Sequence, residues 1–163
     1  LFGPCGYGLP AIVGAKIGCP DTPVVGFAGD GAFGIAVGEL TAIGRPEWPP
    51  VTMVVFRNYQ WGAEKRNSTL WYDDNFVGTE LDEDVSYAGI ARACGLEGVV
   101  ARTMEELTDA LNRAIEDQMK NGKTTLVEAL INQELGEPFR RDAMKKPVEV
   151  AGIDPSDMRA QAV

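Results

Sequence analysis

Three short, mostly apolar runs dominate the hydrophobic pattern of the chain. The first covers residues 24–28 and ends in a Gly-Asp-Gly turn at residues 29–31, the second covers 51–56, and the third covers 124–131. Short, nearly continuous apolar runs of this kind are typical of strands that are buried on both faces of a parallel sheet. The pattern therefore predicts three buried strands.

Helical spacing of apolar residues predicts the elements between these strands. Residues 32–43 repeat large apolar side chains three or four positions apart, and the prolines that follow stop any helix. A longer helix begins at Thr103, which can form a capping box with Glu106, and it ends at Asn121-Gly122. Shorter elements are predicted as a helix starting near Leu9, a helix over 86–94 and a strand at 99–100. Because helices alternate with strands, we predict an α/β fold with a Rossmann-like parallel sheet flanked by helices.

The chain of 163 residues has the length of one domain. We assign residues 1–136 to that domain and residues 137–163, where the periodicity is lost, to a C-terminal tail that packs on the domain or on a partner. The chain starts with Leu1 and lacks the basic and then apolar start of a signal peptide. We therefore expect it to be part of a longer polypeptide.

Composition narrows the possible functions. The net charge of −9 argues against nucleic acid as a partner, and no apolar run approaches the roughly 20 residues of a membrane helix. The chain has no histidine and its three cysteines form no CxxC pair, so a zinc site is not expected and reduced cysteines indicate the cytoplasm. Part of the negative charge is local to residues 73–84, which we interpret as a solvated face or lid.

Two of the predicted strands are followed by oxygen ligands. Asp30 follows the first strand and Asn58 follows the second. In open parallel sheets, ligands bind beyond the carboxyl ends of the strands, and carboxylate and amide oxygens suit Mg²⁺. The glycines around Asp30 leave space for a diphosphate at the start of the following helix. The alternative interpretation is that Asp30 and Asn58 belong to two ordinary turns at strand ends and bind no ligand.

The combination of Gly29-Asp30-Gly31 with Asn58 resembles the signature of the thiamine-diphosphate-dependent enzymes. The glycine-rich residues 6–11 are similar to the segment that precedes this signature in acetolactate-synthase-like members, and residues 38–41 resemble the segment that follows it. The resemblance implies the thiamine-diphosphate-binding fold, with thiamine diphosphate and Mg²⁺ as cofactors.

The resemblance also implies a set of site residues. Asp30, Asn58 and the backbone carbonyl of Gln60 would hold the metal, and the Gly3 carbonyl would accept from the 4′-amino group of the cofactor. The full set implied for cofactor binding is Gly3, Cys5, Gly6, Tyr7, Gly29, Asp30, Gly31, Ala32, Asn58, Gln60, Trp61 and Gly62. The chain departs from the family pattern at two of its positions: Arg57 stands where an asparagine is usual, and Cys5 is smaller than the usual apolar residue that supports the cofactor.

Residues 60–65 and 133–147 resemble a subgroup of the family whose members cleave the C–S bond of a small sulfonated aldehyde and pass the acetyl group to phosphate. Such anionic substrates require cationic side chains. The candidates are Lys65, Arg66, Arg140 and Arg141, although ion pairs with acids on a neighbouring domain would explain the same residues.

No catalytic residue is assigned to this chain. The resemblance implies that the glutamate which protonates the cofactor lies on a separate pyrimidine-binding domain or chain, and no glutamate here matches its sequence context. The complete enzyme is expected to be a homodimer or homotetramer. The alternatives are an acetolactate-synthase-like or 2-oxo-acid decarboxylase subunit, or a non-catalytic cofactor-binding module. A Rossmann-type nucleotide domain is disfavoured because no GxGxxG follows the first strand.

Overall fold

Four parallel strands form one sheet in the order β1-β2-β4-β3 in a computed structural model that describes residues 3–133. The strands are β1 (Val25–Gly29), β2 (Thr52–Arg57), β3 (Glu97–Ala101) and β4 (Thr125–Leu130). The three apolar runs and the short run at 99–100 are therefore confirmed as strands, with bounds that differ by one or two residues. The predicted α/β fold with a parallel sheet is confirmed.

Six α-helices connect or follow these strands within the described range. They are α1 (Gly8–Gly18), α2 (Asp30–Ile35), α3 (Leu40–Ile43), α4 (Gly62–Trp71), α5 (Tyr87–Ala93) and α6 (Met104–Lys120), with a 3-10 helix at Val37–Glu39 between α2 and α3.

The helices cover both faces of the sheet and bury two apolar clusters. On one face, Met53 of β2 and Leu126 of β4 pack with residues of α1, α2, α3 and α5 in the larger cluster. On the other face, Val127 packs with Ala110 and Ala114 of α6. This three-layer arrangement buries β2 and β4 almost completely, as the continuous apolar runs predicted.

The predicted cap of the long helix is confirmed, with one difference. The Thr103 hydroxyl accepts a hydrogen bond from the Glu106 N–H at 3.1 Å. The Glu106 carboxylate accepts from the N–H of Arg102 at 2.6 Å, one residue before the capping residue. Gly122 follows the helix with a φ of +64°, the left-handed conformation that ends many helices.

One predicted helix was wrong and one observed helix was missed. The single helix predicted over 32–43 is divided into α2, the 3-10 turn and α3, because the apolar residues turn inward at Phe33 and again at Leu40 and Ile43 while the turn between them has no buried residue. The helix α4 was not predicted at all. The assigned tail, residues 137–163, lies outside the described residues.

Candidate functional site

The Asp30 carboxylate lies at the carboxyl edge of the sheet, where β1 and β2 end side by side. The two strands are paired in parallel with Gly29 opposite Phe56, so Asp30 and the loop that starts at Asn58 leave the sheet next to each other. Asp30 Oδ2 accepts hydrogen bonds from the N–H groups of Asn58 and Tyr59, at 3.0 and 2.7 Å. The backbone of the loop that bears Asn58 therefore lies directly beside the Asp30 carboxylate.

Asp30 is a buried carboxylate with no cationic partner among residues 3–133. Its residue is 2% exposed, and its Oδ1 accepts from the Gly31 N–H at 3.0 Å. Burial raises the pKa of Asp30 above its ordinary value, although the N–H groups of Tyr59, Gly31 and Asn58 act in the opposite direction. The desolvated charge is thus only partly compensated, and a divalent cation at this position would supply the missing compensation.

The loop from Asn58 to Trp61 is held in place by its own backbone. Tyr59 adopts a φ of +61°, which is uncommon for a residue with a side chain. The Tyr59 carbonyl accepts from Leu81 at 2.8 Å, and the Trp61 N–H donates to Thr79 at 2.7 Å. These bonds attach the loop to the segment around Thr79 and fix the direction in which its carbonyls point.

Gln60 is the most buried residue of this loop, with 2% exposure. Its Nε2 donates to the Gln133 carbonyl at 3.0 Å. Its Oε1 is buried and has no hydrogen-bond partner within residues 3–133. The predicted ligand atom of Gln60 is its backbone carbonyl, while its side chain connects the loop to the segment that follows β4.

The glycines around Asp30 have two different roles. A Cβ at Gly31 would lie 2.9 Å from the indole of Trp61, so Gly31 permits close packing of that ring on the start of α2. A Cβ at Gly29 would meet nothing within 4 Å. Gly29 therefore borders open space beside the carboxylate. Ala32 and Gly62, the remaining predicted site residues here, lie in α2 and at the first position of α4.

The N-terminal site residues lie beside α2. Gly6 has a φ of +84°, and a Cβ there would lie 3.0 Å from Ile35 Cγ2, so this segment packs against the end of α2. Gly3, Cys5 and Tyr7 are exposed. Among the described residues this segment makes contact with α2 rather than with the Asp30 carboxylate, and its exposed surface is open to a ligand.

Arg57 and Glu128 form a buried ion pair that the sequence reasoning missed. Glu128 lies inside the predicted strand 124–131 and is fully buried, whereas Arg57 directly follows the predicted strand 51–56. The Tyr87 hydroxyl donates to the Asp30 carbonyl at 3.1 Å. The Arg57 guanidinium lies 4.5 Å from the centre of the ring of Tyr59, the residue whose N–H donates to the Asp30 carboxylate. The feature of the sequence that could have indicated this network is the charged Glu128 inside an otherwise apolar run.

The predicted anion-binding residues are placed on α4 or lie outside the described part of the chain. Lys65 pairs with Glu80 and has its ammonium 5.3 Å from the Phe76 ring centre. This pairing lowers the pKa of Glu80. Arg66 is half-buried on the same helix. Arg140 and Arg141 fall outside residues 3–133.

The donor set of this edge fits a magnesium ion. No three carboxylate, cysteine or histidine side chains come together in the described range, so a cation bound here would take the Asp30 carboxylate together with amide and carbonyl oxygens. Hard oxygen donors with room for phosphate and water are the set that Mg²⁺ prefers. The only partly compensated charge of Asp30 and the open space at Gly29 favour a metal-bound diphosphate at the same place.

No helix within residues 3–133 has both the length and the apolar character needed to cross a membrane.

Comparison with known proteins identifies the family of this fold and site. Residues 1–129 match the family described as thiamine pyrophosphate enzyme, C-terminal TPP binding domain. The chain is 86% identical over all 163 residues to a sulfoacetaldehyde acetyltransferase of Roseovarius nubinhibens, of which it covers 27%. It is 84% identical over 161 residues to a sulfoacetaldehyde acetyltransferase of Rhodobacter capsulatus, covering 99% of this chain and 27% of that protein.

A solved structure shares the fold at lower identity. The thiamine diphosphate-dependent 4-hydroxybenzoylformate decarboxylase of Rhodococcus jostii RHA1 superposes with a TM-score of 0.72 at 27% identity. The match covers 80% of this chain and 24% of that protein. The chain thus spans about a quarter of the length of the proteins it matches.

Proposed function

Because the chain belongs to the thiamine pyrophosphate enzyme family, as a C-terminal TPP-binding domain, we propose that it is the cofactor-binding part of a sulfoacetaldehyde acetyltransferase. The observation that carries the cofactor site is the buried Asp30 carboxylate, held by N–H groups of the loop that bears Asn58. The observation that supports the substrate is the 86% identity along the whole chain to an enzyme of that name.

Asp30, Asn58 and the carbonyl of Gln60 are the residues proposed to hold Mg²⁺. The Asp30 carboxylate contributes charge, and the two other groups contribute neutral oxygens from a loop with a fixed backbone. The ion would join this edge of the sheet to the diphosphate of the cofactor. The open space beside Gly29 is where the diphosphate is expected to lie.

The remaining site residues are proposed to shape the cofactor cavity. Trp61 packs on Gly31 and closes one side of the start of α2. Gly3, Cys5, Gly6 and Tyr7 are exposed or half-exposed next to α2, where they can contact the thiamine rings. When bound, thiamine diphosphate supplies a nucleophilic carbon and an electron sink; the residues of this chain bind and orient it.

The proposed reaction converts sulfoacetaldehyde and phosphate to acetyl phosphate and sulfite. The C–S bond breaks and sulfite leaves, while a bond forms between the former aldehyde carbon and a phosphate oxygen. The aldehyde carbon rises to the acyl oxidation level and the carbon that carried sulfur becomes a methyl group, so no external oxidant is needed.

The cations proposed for the anionic substrates are Lys65, Arg66, Arg140 and Arg141. Lys65 is paired with Glu80 in this chain, so it would contact phosphate or sulfonate only by exchanging that partner. The pair is partly exposed, and exposed ion pairs contribute little free energy. Exchanging Glu80 for an anionic substrate should therefore cost little free energy.

The acid–base residue is proposed to come from elsewhere. A glutamate on a pyrimidine-binding domain, in the same polypeptide or in a partner chain, would complete the site across a homodimer or homotetramer interface. The proposed location of the enzyme is the cytoplasm.

The test is an assay of the complete polypeptide that contains this chain, supplied with thiamine diphosphate and Mg²⁺. Sulfoacetaldehyde with phosphate should give equal amounts of sulfite and acetyl phosphate, and an Asp30→Ala variant should give neither. Acetolactate or acetaldehyde from pyruvate, with no sulfite from sulfoacetaldehyde, would instead identify a 2-oxo-acid enzyme. Cofactor binding with no turnover of either substrate would identify a non-catalytic module.

A further inference from the structure

Arg57 is the central residue of a buried network next to the proposed metal site. Its guanidinium pairs with Glu128 and donates to the carbonyls of Glu83 at 2.8 Å and Asp82 at 3.4 Å. Arg57 therefore links the end of β2 to the middle of β4 and to the segment that precedes α5.

The same guanidinium lies close to the rings of two tyrosines that both contact Asp30. Its central carbon is 4.5 Å from the ring centre of Tyr59 and 5.9 Å from that of Tyr87. The Tyr59 N–H donates to the Asp30 carboxylate at 2.7 Å, and the Tyr87 hydroxyl donates to the Asp30 carbonyl at 3.1 Å. Arg57 thus directly precedes Asn58 in the chain, and it contacts Asp30 only indirectly, through the two tyrosines.

Glu128 holds the opposite side of the network. Its Oε2 accepts from the Ser86 hydroxyl at 2.8 Å and from the Ala88 N–H at 2.9 Å, both at the start of α5. Glu128 has no exposed surface. Both carboxylate oxygens are thus engaged, one with Arg57 and the other with the first turn of α5, the helix that carries Tyr87.

We propose that the Arg57–Glu128 pair positions the metal-binding loop, holding Tyr59 in its left-handed conformation so that Asn58 and Gln60 face Asp30. The inference rests on the proposed Mg²⁺ and thiamine diphosphate site. Arg57 and Glu128 act through Tyr59 and the 82–83 carbonyls and are positioning residues rather than ligands.

Stability alone does not account for this pair. A buried ion pair often contributes no more than apolar residues of the same volume would. The contacts around this pair also converge on the proposed metal site. The Tyr59 N–H and the Tyr87 hydroxyl donate to Asp30, and the Leu81 N–H donates to the Tyr59 carbonyl in the metal-binding loop. Groups that orient metal ligands in this way typically set metal affinity, and their loss costs about 10- to 100-fold.

The experiment uses the complete polypeptide, depleted of metal, with a double variant Arg57→Met/Glu128→Gln. The double variant leaves no unpaired buried charge, and the glutamine oxygen can still accept from Ala88. Mg²⁺ is titrated at a fixed concentration of thiamine diphosphate, and cofactor binding is followed by tryptophan fluorescence and by calorimetry. We expect the Mg²⁺ concentration for half-maximal binding to rise about 10- to 100-fold, with substrate turnover approaching that of the wild type at saturating Mg²⁺.

A matched control is available at the other end of the sheet. Gln118 is buried and bonds to the Val24 N–H, the Val24 carbonyl and the Thr52 hydroxyl. Gln118→Leu removes a buried polar network of similar size far from Asp30, so it should lower the melting temperature without changing the Mg²⁺ midpoint. An equal shift in this control, or a wild-type midpoint in the double variant, would overturn the inference.

Two further results keep the test decisive. If the double variant does not fold, Arg57→Lys replaces it, because a lysine can pair with Glu128 but cannot also reach both carbonyls and stack on Tyr59; a wild-type Mg²⁺ midpoint for this variant would overturn the inference. If the wild-type protein binds no thiamine diphosphate in the presence of Mg²⁺, the proposed function fails, and the inference fails with it.

Discussion

Gly29→Ala separates what the fold needs from what the cofactor needs. Gly29 has a φ of −76° and a ψ of 157°, an extended conformation that alanine adopts freely. Its added Cβ would meet nothing within 4 Å. The substitution should therefore raise the stability of the metal-free protein by about 0.4–1 kcal/mol, because alanine restricts the unfolded chain. It should also place a methyl group in the space proposed for the diphosphate.

Gly31→Ala provides the contrast on the other side of Asp30. Its Cβ would lie 2.9 Å from the Trp61 ring, which is 0.5 Å short of the 3.4 Å at which ordinary van der Waals contact begins. Relief requires a shift of an aromatic ring that is packed on α2, and overpacking of this size costs about 1–3 kcal/mol. The two neighbouring glycines are thus expected to affect the metal-free fold with opposite signs.

The assay is thermal unfolding of the complete polypeptide, first without metal and then with Mg²⁺ and thiamine diphosphate. At a cofactor concentration of about 100 times the wild-type Kd, binding stabilises the wild type by about 2.7 kcal/mol, and a 100-fold weaker variant would gain only about 0.4 kcal/mol. Gly14→Ala, at an equally open position in α1, should retain the full gain. A full gain for Gly29→Ala would refute the placement of the diphosphate, and a loss of metal-free stability would refute the geometry at Gly29.

Three further predictions concern the same edge of the sheet and its supports. Asp30→Asn should abolish the Mg²⁺-dependent stabilisation. Because burial raises the pKa of Asp30, the folded protein binds that proton more tightly than the unfolded chain does. This group's contribution to metal-free stability therefore falls as pH rises above the ordinary carboxyl pKa of about 4, and the melting temperature of the variant should fall less over the same rise in pH. Tyr87→Phe removes one buried hydrogen bond to Asp30 and should cost about 1 kcal/mol, measured by thermal or denaturant unfolding, with the Phe33 contact retained. Gly98→Ala would put a Cβ 2.1 Å from the Ala88 carbonyl oxygen, so it should cost at least about 3 kcal/mol and greatly reduce the yield of folded protein on expression.

The position of the site could be predicted from the sequence because it depends on strand ends. The apolar runs mark β1 and β2, and Asp30 and Asn58 are the first residues after them. Parallel strands place their carboxyl ends at one edge, so adjacency of the two strands was enough to bring both residues together. The remaining requirement, that β1 and β2 be neighbours, is a property of the sheet order that no local pattern specifies.

The helix α4 could not be predicted because its sequence has no apolar stripe. Its residues, from Gly62 to Trp71, are mostly polar or charged, and most of them are exposed or only half-buried. Packing of an apolar face cannot be what specifies such a helix. Its start is fixed instead by the Trp61 N–H bond to Thr79 and by the pairing of Lys65 with Glu80, which are long-range contacts invisible to periodicity.

The buried pair shows the same limit at the level of single residues. Glu128 interrupts an apolar run and Arg57 directly follows one, which indicates a special role but not a partner. The register of the sheet pairs Val55 with Glu128 and Arg57 with Leu130, so the two charged side chains point to the same face two positions apart. Only the parallel alignment of β2 with β4 makes that contact, and alignment is a property of the whole sheet.

The construction of the Asp30 site explains why it identifies a cofactor and leaves the substrate open. Its carboxylate accepts hydrogen bonds from the backbone N–H groups of Gly31, Asn58 and Tyr59. Residues with many different side chains could supply such backbone groups equally well. A decarboxylase with 27% identity keeps the same fold, as expected for a site built from backbone and glycine. We therefore expect discrimination between a sulfonate and a 2-oxo acid to depend on side chains outside this set of N–H groups, such as those of α4, of residues 134–163 or of a partner domain. Substitutions at Lys65 and Arg66 should accordingly change the KM for phosphate or sulfoacetaldehyde while leaving the Mg²⁺ midpoint of cofactor binding unchanged.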